Sequence, residues 1–222
     1  MTDAAQAREV IAIDGLDGSG KSRFAASFAE ACEAEGAGRV VVLRVDDFRR
    51  PMPAVSPDAS EADLYYDAYY DFALLRECLA RFVEGAPAAT IPRFDPKTER
   101  LDGEQSISFE GARVAILEGV FVLRATSLTR ATLLVLEVDE EEARRRILAR
   151  DMAKGRSREV VEHRMTKRYF PAQRRYRQAF EPSRRADVVI DNGDWTAPRL
   201  VRAPDAGLPP LVARALARVV RS

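Results

Sequence analysis

Five stretches of the chain are almost uninterrupted apolar sequence: EVIAID (9–14), RVVVLRV (39–45), RVAILEG (113–119), TLLVLEV (132–138) and ADVVID (186–191). Alternating strands leave one face to water, whereas continuous runs fit parallel strands covered on both faces. Helical periodicity fills gaps between them, over about 21–36, 62–84, 139–153 and 157–180. Glu35-Gly36-Ala37-Gly38 reads as a helix stop, and Asp139 as an N-cap followed by acids in the first turn. The tail LVARALARVV (211–220) pairs apolar residues opposite arginines, which predicts a helix packed on the body. Residues 85–112 break the rhythm with prolines, glycines and short β-like pieces, as a hairpin over one sheet edge would. The expected fold is α/β: a doubly wound, mainly parallel five-stranded sheet with helices on both faces. To it are added a substrate-covering insertion at 85–112 and a helical lid over about 140–160, all in one domain spanning 1–222.

Composition removes several classes of function. The 222 residues are 46% hydrophobic and 32% charged, an ordinary globular balance. No apolar run approaches the roughly 18 residues that span a membrane, and MTDAAQAREV has no apolar core for a signal peptide. Cys32 and Cys78 are too few for a disulfide framework, so a cytoplasmic location is expected. His163 is the only histidine, which disfavours Ser-His-Asp and Cys-His mechanisms and zinc sites. The formal net charge is zero but segregated: residues 46–77 carry eight acids against Arg49, Arg50 and Arg76, while 141–185 carry fifteen Lys/Arg against six acids. The basic arginines follow helical patterns beside a nucleotide loop, so nucleic acid is not an expected partner.

That loop is GLDGSGKS (15–22), which fits G-x-x-x-x-G-K-[ST] between a strand and a helix. Gly15, Asp17, Gly18, Ser19, Gly20, Lys21 and Ser22 are the expected phosphate-binding residues. Glycines let consecutive backbone N–H groups turn inward as an anion nest, and the following helix adds its positive end. Lys21 reaches the β/γ-phosphates and the Ser22 hydroxyl ligates Mg²⁺. No guanine-reading N-K-x-D and no transporter signature accompanies the loop.

The second run ends in RVDDFRRP (44–51), where strand ends face the ligand crevice of an open parallel sheet. Asp46 or Asp47 could there accept the proton of an attacking hydroxyl or hold it in line. In DLYYDAYYDFALL (63–75), tyrosines could stack on a base or ribose, and Asp67 or Asp71 could bind sugar hydroxyls. Glu118 ends the ILEG strand, where an acid orients the Mg²⁺ shell. Arg150, Lys154 and Arg156 flank a glycine hinge and could close over the phosphates, whereas most of Arg144, Arg145 and Arg146 read as a solvated helix face.

In order along the chain, GLDGSGKS, VDDFRRP, YYDFALL, IPRFDPKTER, ILEGVFVL, RDMAKGR and EPSRRADVVIDN resemble the uridine kinase / phosphoribulokinase family of P-loop kinases. The resemblance implies Asp46, followed by Phe48, as the catalytic carboxylate. It also implies Tyr70-Asp71 as a ribose-binding pair, Phe94 as a base-stacking ring, Glu118 as the metal-side acid, and Arg150 and Arg156 as lid arginines. Ser22, Glu118 and Asp46 are the residues expected around Mg²⁺, Arg93 joins the acceptor side, and Lys21, Asp46, Arg150 and Arg156 form the catalytic set. A histidine that some uridine kinases place after the YDF-like motif is absent, with Glu99 nearby, and the lid is shorter by about one residue.

The expected activity is ATP-Mg²⁺-dependent phosphorylation of a small-molecule hydroxyl, most simply the 5′-OH of a uridine- or cytidine-like nucleoside. Two rivals remain: a thymidylate kinase-like nucleoside monophosphate kinase, and a nucleotide-binding regulatory protein. Against the first stand the acids of 46–77, which would repel an acceptor phosphate.

Overall fold

The computed structural model describes residues 8–55, 57–126 and 130–221, so most of the N-terminal stretch read above lies outside the described residues. The strands are β1 (Glu9–Gly15), β2 (Arg39–Arg44), β3 (Ala88–Asp95), β4 (Arg100–Ser108), β5 (Ala112–Glu118), β6 (Ala131–Glu137), β7 (Val188–Asp191) and β8 (Arg199–Arg202). Six of them form one sheet in the order β2-β5-β1-β6-β7-β8, and β3 and β4 form a separate hairpin. The five apolar runs are its parallel members. The sixth strand, β8, adds antiparallel to β7 and corrects the expected count of five. Its RLVR sequence is four exposed residues long and carries no burial pattern to read.

Continuity of the apolar runs follows from double coverage. In β1, Val10 and Ala12 point into one core, while Ile11 and Ile13 point into the other. The first core packs under α2 (Glu61–Asp67), α3 (Phe72–Val83), the short α4 (Leu123–Thr126) and α7 (Phe170–Phe180), which the short α8 (Pro182–Arg185) follows. The second packs under α1 (Lys21–Cys32) and α9 (Pro210–Val219), the helix predicted from the tail. A wider helical turn extends α1 over Glu33–Ala37, and the left-handed Gly36 (φ 88°) ends it where the stop was expected.

The predicted 62–84 helix is two helices. Ser60 caps α2 in a capping box, and the Asp71 carboxylate caps α3 by accepting from Leu74 N at 2.9 Å. Between them the chain runs alongside residues 48–50: Arg50 N donates to Tyr69 O, and Asp71 N to Phe48 O, both at 2.8 Å. This break sets Tyr70 beside the end of β2. The region expected to be a lid holds α5 (Glu140–Ala153) and α6 (Arg158–Arg164), the latter continuing through a π-helical turn, Met165–Tyr169, into α7. Asp139 precedes α5 as expected, but its side chain makes no capping hydrogen bond. Among the described residues, no helix is long and apolar enough to cross a membrane.

Candidate active site

At the end of β1 the chain turns through Gly15–Gly20 into α1. A Cβ on Gly15 would lie 2.6 Å from Leu136 O, and one on Gly18 (φ 82°) 2.5 Å from Ala143 O, so the loop is pressed against β6 and α5. Both positions exclude side chains for steric reasons before any ligand is considered. The buried Lys21 donates from Nζ to Gly15 O at 3.0 Å and Leu16 O at 2.7 Å, which holds the ammonium across the loop. Asn192 Nδ2 donates to Ser19 O at 2.6 Å and Gln173 Oε1 accepts from Asp17 N at 3.0 Å, fixing the loop from behind.

Ser22 donates from Oγ to Glu118 Oε1 at 2.9 Å. Glu118 is 4% exposed, and burial pushes its carboxyl up, opposed by Lys21 and the Ser22 hydrogen bond. A hydroxyl beside a buried, electron-rich carboxylate is a donor set suited to a hard divalent cation.

The end of α5 meets the loop in an ion-pair chain. Arg150 NH1 lies 3.0 Å from Asp17 Oδ1, and its Nε 2.7 Å from Asp151 Oδ1; Arg156 NH1 lies 3.0 Å from Asp151 Oδ2. Burial raises the Asp17 carboxyl, but Arg150 and Lys21 outweigh it and hold the group below its ordinary value. Arg150 and Arg156 thus stand at the loop mouth, paired with Asp151, which is 1% exposed. The RD pair at 150–151 was in plain view, but burial of its acid was not. Arg144 and Arg145 pair with Glu140 and Glu142 on the helix surface. Arg146 departs from that face: it lines the cleft and donates from NH2 to Asn192 O at 3.0 Å and Gly193 O at 2.7 Å.

Across the cleft, Asp46 stands in a single turn of 3-10 helix, Val45–Phe48, that continues β2. Its exposed carboxylate is 3.4 Å from the Tyr70 hydroxyl, which donates to it, and 3.7 Å from Arg49 NH2. Asp46 lines the cleft and Asp47 does not. The Arg49 guanidinium lies over Phe94, 5.2 Å from the ring centroid, so the β3–β4 hairpin leans over this end. The whole cleft, about 1180 Å³, runs from Gly18, Lys21 and Ser22 past Glu118 to Tyr70 and Phe94.

Two expected residues are placed elsewhere. Asp71 is engaged as the α3 cap and as the partner of Arg50, whose Nε lies 3.0 Å from Oδ2, and it does not line the cleft. Arg93 donates instead to Asp102 O at 2.8 Å on the neighbouring hairpin strand. Of the eight acids of 46–77, only Asp46 is in the lining. Glu61 pairs with Arg168, and Asp63 and Asp67 with Arg175. The end of the cleft near Tyr70 and Phe94 instead carries Arg49, Lys97, Arg164 and Arg168 against Asp46 and Glu99, with Arg164 paired to Glu99 and Arg168 to Glu61. Linear charge along 46–77 therefore misrepresented the field at the site.

Comparison with known proteins gives this geometry a family. Residues 10–196 match the family model described as "Phosphoribulokinase / Uridine kinase family". The chain belongs to that family. It is 30% identical over 200 residues to a uridine kinase of Tolumonas auensis, covering 87% of this chain and 91% of the relative. It is 28% identical over 190 residues to a uridine kinase of Lactobacillus helveticus, covering 83% and 86%. In fold it is similar to a Bacillus stearothermophilus structure described as a possible uridine kinase, with a TM-score of 0.64, 22% identity, and coverage of 85% of this chain and 91% of that one. As a member of the phosphoribulokinase / uridine kinase family, the chain is a phosphotransferase with a hydroxyl acceptor.

This family member also buries an acid at the base of its loop. Asp14 accepts from Gly15 N at 2.6 Å and from the Tyr176 hydroxyl, and burial pushes its carboxyl from 3.8 up to about 6. A folded-state value above the unfolded one means that the native state holds the proton more tightly. The resulting stabilisation is complete below pH 3.8 and is lost as pH rises through about 6. Relative to Asp14→Asn, the wild type should therefore lose roughly 2–3 kcal/mol of unfolding free energy between those limits. Denaturant titrations of both proteins at pH 4.5 and 7.5 check this. A difference independent of pH would mean that Asp14 does not titrate in the window.

Proposed function

We propose that the protein is an ATP- and Mg²⁺-dependent kinase that phosphorylates a primary hydroxyl of a small molecule, the 5′-OH of a pyrimidine nucleoside being the favoured acceptor. One observation carries the reading: the Lys21–Ser22–Glu118 group and the Asp46–Tyr70 group face a single cleft. The triphosphate fits the loop, with Lys21 exchanging its loop carbonyls for phosphate oxygens. Ser22 and Glu118 would hold Mg²⁺, which supplies charge neutralisation of the phosphate oxygens when bound. Asp46 would take the hydroxyl proton as that oxygen bonds to the γ-phosphorus and the bond to the ADP oxygen breaks. Arg150 and Arg156 would neutralise the transferring group and, with the lid, exclude water. Phe94 and the tyrosines offer stacking surfaces for a base, and uridine kinase relatives support the nucleoside. A ribose role for Asp71 would require Arg50 to release it.

A second reading, a nucleoside monophosphate acceptor, is favoured by Arg49, Lys97, Arg164 and Arg168 at the acceptor end. Acceptor-dependent ADP release across nucleosides, their 5′-monophosphates and simple sugars separates the two. Turnover confined to nucleosides supports the first reading, and turnover confined to monophosphates replaces it with the second.

A further inference from the structure

We propose that Trp195 is the platform on which the base of the phosphoryl donor stacks, an assignment that rests on reading the loop as the donor phosphate site. A bound triphosphate must turn its terminal phosphate toward Asp46, which sends the base to the opposite end of the cleft. That end is bounded by Gly18, Gly20, Arg23, Arg146 and Trp195. The other cleft aromatics form one cluster on the acceptor side: Tyr65 lies 5.4 Å from Tyr69 and 5.3 Å from Tyr169, and Tyr69 lies 6.3 Å from Phe94. Among the described residues, Trp195 makes no ring contact with that cluster.

The turn carrying Trp195 is tied to the loop and held rigid. Asn192 Nδ2 bonds Ser19 O at 2.6 Å, and Arg146 clasps Asn192 O and Gly193 O. Gly193 N donates to Asp191 Oδ1, and Thr196 N to Asp194 Oδ1, each at 2.9 Å. A base attached to phosphates in the loop is therefore within reach of the ring without rearrangement of the turn, and a fixed platform saves the entropy of ordering it. The residue is large, apolar and 46% exposed even with the Arg23 guanidinium 3.6 Å from its ring centroid. Such a surface, already accepting a planar cation, suits the π-face of a base.

Trp195 is the only tryptophan in the sequence, so its emission reports this end of the cleft alone. The test is calorimetric titration of wild type, Trp195→Ala and Trp195→Phe with ATP and with inorganic tripolyphosphate, which has the phosphates but no base. In Trp195→Ala, ATP affinity should fall roughly 5- to 100-fold, the scale of a lost base–aromatic stack, while tripolyphosphate affinity stays within about twofold. Trp195→Phe should recover most of the ATP affinity, and ADP should change the wild-type emission far more than tripolyphosphate does. An equal loss for both ligands, or no loss for either, overturns the platform and leaves the loop as the donor site. Failure of wild type to bind either ligand overturns the donor-site reading and the platform with it.

Discussion

Lys21→Ala is expected to remove nearly all turnover, with kcat/KM falling by at least roughly 10²–10³-fold, the scale of losing one preorganised donor to developing charge. The lysine is buried and, among the described residues, donates to Gly15 O and Leu16 O, so its ammonium lies across the loop. Truncation removes two charge-assisted bonds within the loop and none to the core. The folded state should survive with a loss of about 1–3 kcal/mol. The same ammonium holds down the carboxyls of Asp17 and Glu118, so both should take up protons more readily in the variant. Steady-state kinetics alongside a denaturation curve make the check. A folded variant with near-normal kcat would remove Lys21 from the mechanism.

The second large effect belongs to the acid pair. Asp46→Asn should lower kcat by roughly 10²–10⁴-fold, the range for a lost general base, with ATP affinity largely intact. Asparagine keeps an oxygen for the Tyr70 hydroxyl to reach but cannot accept the acceptor's proton at neutral pH. Asp47→Asn should be mild, because Asp47 lies outside the cleft lining. Comparison of kcat and ATP Kd for the two variants decides between them. A larger loss at Asp47 would assign the chemistry to the other carboxylate.

The phosphate loop and the parallel strands were legible because their causes are local. Steric demands select glycines at 15 and 18, and double coverage selects uninterrupted apolar runs. Placing the strand end brought both Asp46 and Asp47 to the crevice by topology, and the resemblance singled out Asp46, which lines the cleft. What escaped reading depends on long-range pairing. Asp151 looks like any helix acid until Arg150 and Arg156 converge on it. Arg146 shares its run with Arg144 and Arg145 and differs from them through its contacts with Gly18, Asn192 and Gly193. Asp71 was implied as a ribose ligand by the resemblance, yet the Leu74 backbone N–H and Arg50 occupy it. The acids of 46–77 are clustered in sequence and dispersed in space by partners as distant as Arg168 and Arg175.

In the proposed reaction this cleft transfers a phosphoryl group from ATP to a hydroxyl through the loop and Asp46. Its most direct test incubates the enzyme with Mg²⁺, ATP and the nucleoside panel and resolves the products by mass spectrometry and ³¹P NMR. The expected product is a nucleoside 5′-monophosphate formed one-to-one with ADP, dependent on metal and abolished in Asp46→Asn. ADP and inorganic phosphate released in equal amounts without any phosphorylated acceptor, unchanged by Asp46→Asn, would contradict it.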